Sequence, residues 1–344
     1  MKYNYYKFSS NRSNKDAEKI FSQRIEDATH IYNKYKESFN ERDCPYCGSK
    51  KYKNIDFFHN MYGIDRCNIC NSFFVNPTPS IKALSDYYEN CLCNRQLSKV
   101  IKDRYDNNDF INDDRVQLII GLIDLNFKKK KLIKILEIGC NNGAFLSKLR
   151  QALEMKYQDM NFELYGVDID PIAIDNSVDK KLNLFHGFAE EISSEHKNEY
   201  DIVIHFELIE HLINPIKFIA SIHEMLIDNG KMIFTTPNIL GLDNQALDYN
   251  NIRYLAHALF PPMHLNAFST TNIGYFLISN GFAIEEVSTS GKLDIDIVTQ
   301  CKDYLKDTVY TDLALLNDDT KALIQQLLVK LNASSHMQCI ASKI

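Results

Sequence analysis

Four cysteines stand in two pairs, Cys44-Pro45-Tyr46-Cys47 and Cys67-Asn68-Ile69-Cys70. Two C-x2-C pairs at this separation supply four thiolates, the donor set that tetrahedral Zn2+ takes. Gly48 follows the first pair and allows the tight knuckle turn. With every coordination position filled by sulfur, such a metal is structural rather than catalytic. Redox C-x-x-C chemistry is the weaker alternative, because it needs one pair and this chain has two. Cys91 and Cys93 lie beyond the pairs and read as surface or packing thiols.

A second concentration of reactive side chains is Glu207-Leu208-Ile209-Glu210-His211, directly after the apolar run Tyr200–Phe206 that ends in His205-Phe206. If Glu207 to His211 form one helical turn, Glu207, Glu210 and His211 share a face. His264 arrives later, in Phe260-Pro261-Pro262-Met263-His264-Leu265. Carboxylates and imidazoles aimed at one point hold a divalent metal, or make a base with an orienting partner. The plain alternative is a set of solvated loop side chains.

The third signal is a glycine-bearing turn, Ile135-Leu136-Glu137-Ile138-Gly139-Cys140-Asn141-Asn142-Gly143-Ala144-Phe145. An apolar strand runs into it, and a helix burying Phe145, Leu146, Leu149 and Leu153 runs out. The dinucleotide fingerprint G-x-G-x-x-G has a middle glycine that is missing here, which disfavours a pyrophosphate cradle. Cys140 reads as a small residue fitting a tight space. Asp168 closes the next apolar run, where its two oxygens suit the paired hydroxyls of a ribose. Asp170, just before Pro171, reads as a helix cap.

The elements that must position these groups follow from periodicity. From Leu132 onward apolar runs alternate with amphipathic helices: LIKILEI, AFLSKLRQAL, ELYGVDI, PIAIDNSV, YDIVIHF, PIKFIASIHEML, KMIFTTP. That alternation predicts an α/β domain on a parallel sheet buried on both faces. Gly230 reads as the stop of the helix before it. GFAIEEVST and HMQCIASKI read as two further strands, with helices between Asp294 and Asn332. Because ligands bind outside the carboxyl ends of parallel strands, Gly139, Asp168 and the Glu207–His211 segment come to one edge. Ahead of this domain, helical spacing runs from about Asp16 to Phe39, short β-like pieces fill 44–76, and helices cover Ile81–Tyr88 and Val116–Leu125.

Bulk properties narrow the classes. The formal net charge is −6 and the isoelectric point is near 5.9, which disfavours nucleic-acid binding through a basic surface. The run Lys128–Lys131 directly precedes a buried strand and reads as its solvated entry. No stretch approaches the ~20 apolar residues of a membrane span. The first fifteen residues hold no signal-peptide apolar run. A cytoplasmic location follows as the expectation, with the nine cysteines reduced.

The pattern E-x-G-x-x-x-G at Glu137, Gly139 and Gly143, with Asp168 at the next strand end, resembles motif I of the class I methyltransferases. Phe185-His186-Gly187-Phe188-Ala189-Glu190 resembles that family's adenine-contacting stretch. The resemblance covers about residues 132–290. It implies a Rossmann-like seven-stranded sheet with an antiparallel closing pair, and S-adenosylmethionine as cofactor. The cofactor contacts it implies are Glu137, Gly139, Cys140, Asn141, Gly143, Asp168, Ile169, Phe188, Ala189 and His205. The E-x-x-E-H cluster is similar to metal-dependent members of the superfamily, the small-RNA 2′-O-methyltransferases and the ubiquinone-biosynthesis O-methyltransferases. Carried over, Glu207, Glu210, His211 and His264 hold a second divalent metal, Mg2+ or Zn2+, and Glu210, His211, His264 and His205 do the catalysis.

The cysteine module, with Ser72–Ser80 and a helix bearing Tyr87 and Tyr88, resembles the amino-terminal zinc modules of bacterial sugar- and polysaccharide-pathway methyltransferases. Either tyrosine faces a sugar ring or simply packs. The expected division is an N-terminal helical segment at 1–43, a zinc ribbon at 44–95, linking helices at 96–130 and the methyltransferase domain at 131–344. The expected activity is O-methylation of a small carbohydrate-derived acceptor. The alternatives are RNA 2′-O-methylation, C-methylation of a nucleotide sugar, and a cofactor-bound scaffold without turnover, in which Glu207, Glu210, His211 and His264 do not converge.

Overall fold

The computed structural model describes residues 14–92, 110–247, 258–305 and 307–344. Cys93 and the first part of the expected linking helices lie outside them.

The N-terminal part begins with helix α1 (Asn14–Tyr35) and a single 3-10 turn. Strands β1 (Tyr52–Phe58), β2 (Tyr62–Cys67) and β3 (Phe73–Val75) form an antiparallel ribbon around the cysteine pairs. Helix α2 (Ile81–Asn90) starts where Ser80 accepts the Ala83 N–H, and it buries Ala83, Leu84 and Tyr87. Helix α3 (Phe110–Asn126) leads into the sheet.

From Leu132 the predicted alternation appears. The elements are β4 (Leu132–Ile138), α4 (Ala144–Lys156), β5 (Asn161–Asp168), α5 (Pro171–Asp175), β6 (Asn183–His186), α6 (Ala189–Ile192), β7 (Tyr200–Phe206), α7 (Pro215–Met225) and β8 (Leu226–Pro237). Helix α8 (Leu242–Ala246), the two-residue β9 (Asn266–Ala267), α9 (Asn272–Ser279) and β10 (Phe282–Thr289) follow. The chain closes with α10 (Asp294–Gln300), α11 (Thr308–Leu315), α12 (Asp318–Lys330) and β11 (His336–Lys343). The main sheet has seven strands in the order β10-β11-β8-β7-β4-β5-β6. Only β11 runs against its neighbours, so β10 and β11 form the antiparallel closing pair.

Side chains alternate between the faces of this sheet. Ile133, Ile135, Ile202 and Ile204 pack with Ile119, Ile123, Leu146, Leu149 and Leu153 of α3 and α4. Leu136, Ile138, Val203 and Phe234 pack with Phe218, Ile222 and Phe276 of α7 and α9. Each fully buried leucine here is worth roughly 1.5–3 kcal/mol. Gly230 departs from expectation. It lies inside β8, in the irregular stretch between the Leu226 and Lys231 pairings, and does not end a helix. A Cβ there would come within 2.8 Å of the Ile227 carbonyl.

The ribbon is not an appendage. Its β3 pairs with β9, Phe73 opposite Ala267 and Phe74 opposite Asn266. A strand from the C-terminal half thus completes the N-terminal sheet, and Cys44, Tyr46, Cys67, Cys70 and Phe74 share a core with Phe268 and Phe276. Among the described residues no helix is long and apolar enough to cross a membrane.

Candidate functional site

The glycine turn is held to the next strand. Gly139 N and Cys140 N both donate to the Val167 carbonyl, at 2.8 and 3.3 Å. Gly139 and Gly143 have φ of +78°, the left-handed region that glycine enters without strain. Cys140 is buried, and its Sγ lies 2.6 Å from where a Cβ on Gly166 would stand. The small residue and the strand glycine are therefore matched.

Asp168 sits at the end of β5. Its Oδ2 accepts from Asn141 N at 2.7 Å and its Oδ1 from Asp170 N at 2.9 Å. Each oxygen keeps a further lone pair for a ligand hydroxyl. Asp170 caps α5, accepting from Ile172 N and Ala173 N ahead of Pro171. Past β6, Ala189 is buried whereas Phe188 exposes 54% of its surface. Ile169 is likewise exposed.

Glu137 is buried, and its Oε2 has no hydrogen-bond partner among the described residues. Burial pushes its carboxyl up to about 8; Arg115 opposes the rise and Asp168 adds to it. Arg115 comes from α3, with its guanidinium carbon 3.9 Å from the Phe206 ring centroid. Sequence reasoning passed over Arg115, since one arginine in a helix carries no spacing signal.

The E-x-x-E-H segment folds differently from one helical turn. A 3-10 turn covers only Ile209–His211, and Glu207 precedes it at φ +49°. That backbone swings Glu207 to His336 of β11, 3.1 Å between Oε2 and Nε2. Burial raises the Glu207 carboxyl, but His336, Thr235 and Arg115 outweigh it and bring it to about 2. Burial lowers His336, but Glu207 lifts it to about 9. Glu207 therefore stands outside the group that forms.

That group is Glu210, His211 and His264, whose ligand atoms all lie within 4.8 Å of one another. Glu210 is buried. Its Oε2 accepts from Thr236 Oγ at 3.0 Å, and its Oε1 has no partner among the described residues. Burial, with Glu207 nearby, holds its carboxyl well above the usual range. The His211 Nδ1 lies 3.0 Å from the Met263 carbonyl. A carbonyl only accepts, so Nδ1 carries the hydrogen and the lone pair is on Nε2, 3.9 Å from Glu210 Oε1. Burial lowers His211 to about 4, so the ring is neutral near pH 7. His264 stands perpendicular to it, ring centroids 4.7 Å apart. Tyr88 Oη reaches His211 Nδ1 at 3.2 Å, whereas Tyr87 is a fully buried packing residue. Leu208, one residue after Glu207, lies beside the glycine turn. Its Cδ2 lies 3.6 Å from the position of a Cβ on Gly139.

His205 does not face this edge. It is fully buried, stacked on Phe234 at 4.6 Å and edge-on to Phe218. Strand alternation points it into the face covered by α7 and α9 rather than out of the strand end. A cleft of about 440 Å³ between the ribbon and Ile213–Ile216 is lined by Arg42 and Cys44 but by none of Asp168, Glu210, His211 and His264.

In the ribbon, Cys44 and Cys70 Sγ lie 3.5 Å apart, and Cys47 and Cys67 Sγ 3.6 Å. All four sulfurs fall within 4.8 Å. Gly48 turns the first knuckle at φ +66°, and Asn71 turns the second at φ +58°.

A family model for a methyltransferase domain matches residues 111–287, just over half of the 344 residues. The chain belongs to this methyltransferase-domain family, and its sheet is the Rossmann-like class I methyltransferase fold. The chain is similar to the ubiquinone biosynthesis O-methyltransferase of Rickettsia typhi, 28% identical over 134 residues, 37% of this chain and 50% of the relative. It is similar also to that of Photobacterium profundum, 31% identical over 111 residues, 30% and 44%. The chain thus spans about half the length of the curated relatives it matches. A solved structure, the plantazolicin methyltransferase BpumL in complex with SAH, is 16% identical with a TM-score of 0.48, covering 76% of this chain and 93% of that one.

Proposed function

We propose that this chain transfers a methyl group from S-adenosylmethionine to a hydroxyl oxygen of a small polar acceptor, a sugar or sugar-derived metabolite. The observation that carries the reading is the meeting of Glu210, His211 and His264 within 4.8 Å, on a loop whose Leu208 lies beside the glycine turn. The names of the curated relatives support an oxygen acceptor. The resemblance of the cysteine module to those of sugar-pathway enzymes supports the acceptor class.

S-adenosylmethionine supplies a methyl on a sulfonium, whose departure needs no acid. The protein's task is alignment and proton removal. Asp168 offers its spare lone pairs to the ribose hydroxyls. Glu137 has an oxygen without a hydrogen-bond partner among the described residues and Arg115 a cation nearby, a pair suited to the ammonium and carboxylate of the methionine tail. Phe188 presents an exposed ring for the adenine.

On the acceptor side, the hydroxyl proton moves to His211 Nε2 as the carbon–oxygen bond forms. The same cluster offers one carboxylate oxygen and two imidazoles, the His2Glu donor set of an open divalent site. A metal held there supplies acidification of the acceptor hydroxyl. Metal content per chain separates direct base catalysis from this alternative. The four cysteines hold a structural zinc, since tetrahedral Zn–S bonds of about 2.3 Å place sulfurs roughly 3.8 Å apart, close to the 3.5 and 3.6 Å found.

Calorimetry with S-adenosylhomocysteine, followed by labelled S-adenosylmethionine and a panel of nucleotide sugars and other hydroxylated acceptors, tests the reading. Heat and label transfer are expected. Folded protein giving no heat would sink the cofactor assignment; heat without transfer to any hydroxyl would sink the acceptor class.

A further inference from the structure

Arg42 precedes the first cysteine pair by two residues, and its guanidinium donates to three backbone carbonyls and one side-chain oxygen of other segments. Nε donates to the Val75 carbonyl at 3.1 Å. Nη1 donates to the Ile213 carbonyl at 3.0 Å. Nη2 donates to the Leu265 carbonyl at 3.0 Å and to Asn266 Oδ1 at 3.1 Å. The Phe74 ring lies beneath it, 5.5 Å to the centroid.

These partners are not arbitrary. Ile213 ends the segment that carries Glu210 and His211. Leu265 follows His264 directly. The Leu265 peptide is a junction, because its N–H donates to the Glu210 carbonyl at 2.8 Å. Its carbonyl accepts from Val75 N at 2.9 Å as well as from Arg42. Asn266 reaches back through Nδ2 to the Leu212 and Ile209 carbonyls. One planar cation of the cysteine module therefore spans both loops whose side chains meet.

We infer that Arg42 is a positioning residue, which sets the distance between His211 and His264 from within the zinc module. The inference rests on the proposed acceptor site. It makes that module part of the active site's construction, not merely a neighbour. The fork geometry explains the residue type. Arginine presents five donors in a plane, enough for four acceptors in different directions, whereas a lysine ammonium presents three from one point. Without the fork, the Val75 and Ile213 carbonyls and the Asn266 side chain lose a shared donor, so the two loops are released from each other rather than held in place.

The test is Arg42→Lys in the full chain, read by histidine-ring NMR with signals assigned through His211→Gln and His264→Gln. Wild-type protein is expected to show His211 as the Nδ1–H tautomer with a ring-to-ring contact to His264. In Arg42→Lys that contact is lost, while zinc content is unchanged and S-adenosylhomocysteine affinity stays within twofold. An unchanged ring contact overturns the inference. Joint loss of zinc and cofactor binding also overturns it, by showing that Arg42 holds the whole fold. The functional reading fails separately, if wild-type protein gives no heat with S-adenosylhomocysteine.

Discussion

The carboxylate of Asp168 accepts the backbone N–H of Asn141 at 2.7 Å, fastening the end of the second parallel strand to the turn that follows the first. The residue expected to hold the ribose also holds the cradle. Asp168→Ala should therefore weaken S-adenosylhomocysteine binding by at least tenfold, about 1.4 kcal/mol or more, while Asp168→Asn, which keeps one acceptor oxygen, should lose less. Titration calorimetry on both variants measures this. Wild-type affinity in Asp168→Ala would remove the ribose role.

Metal content tests the histidine cluster. With a divalent ion on Glu210, His211 and His264, protein equilibrated with Zn2+ or Mn2+ and then desalted should hold about two metals per chain, and His264→Ala about one. Elemental analysis reads both. A single metal in both proteins would assign the cluster to direct base catalysis.

The ribbon shares its sheet and core with the C-terminal half, so removing its metal should be felt there. Cys47→Ser should lose zinc and lower the unfolding midpoint of the whole chain in one transition. Scanning calorimetry distinguishes this from an independent module, which would melt separately and leave the main transition in place.

The Glu207–His336 pair predicts a pH dependence with a definite sign. His336 is raised to about 9 from an ordinary value near 6.5, so its contribution is complete below about 6.5 and fades as pH rises toward 9. Glu207 is depressed to about 2, so its contribution is complete above about 4.3 and fades as pH falls toward 2. Both side chains are about one-third exposed, which keeps the pair's worth under about 1 kcal/mol. Between pH 6.5 and 9 the wild-type midpoint should fall more than that of His336→Gln. Parallel curves would show that the pair contributes nothing.

Much of the site was legible because its signals are local. The spacing Cys44–Cys47 and Cys67–Cys70 needs only two knuckle turns. Glu137, Gly139 and Gly143 belong to one strand-turn-helix, and Asp168 to the adjacent strand. Strands and helices from Leu132 onward followed from side-chain periodicity, with β4 and β7 ending where their apolar runs end. Arg115 and Arg42 escaped because each acts through contacts that no local pattern encodes.

Spacing and hydrophobic period established an α/β domain on a parallel sheet, its glycine turn, and a four-thiol cluster ahead of it, since each of these is settled within a few neighbouring residues; the class I methyltransferase kind came from the resemblance of Glu137, Gly139, Gly143 and Asp168 to that family's motif. Which carboxylate joins His211 was decided in three dimensions. Left-handed backbone at Glu207 sends that side chain to His336, 129 positions away, and leaves Glu210 at the cluster. The fate of His205 turned on which face of β7 it occupies, and Tyr88 reached His211 only because β3 pairs with β9 and folds the ribbon onto the loops. Such outcomes depend on strand direction and on partners far along the chain, and short-range spacing carries neither.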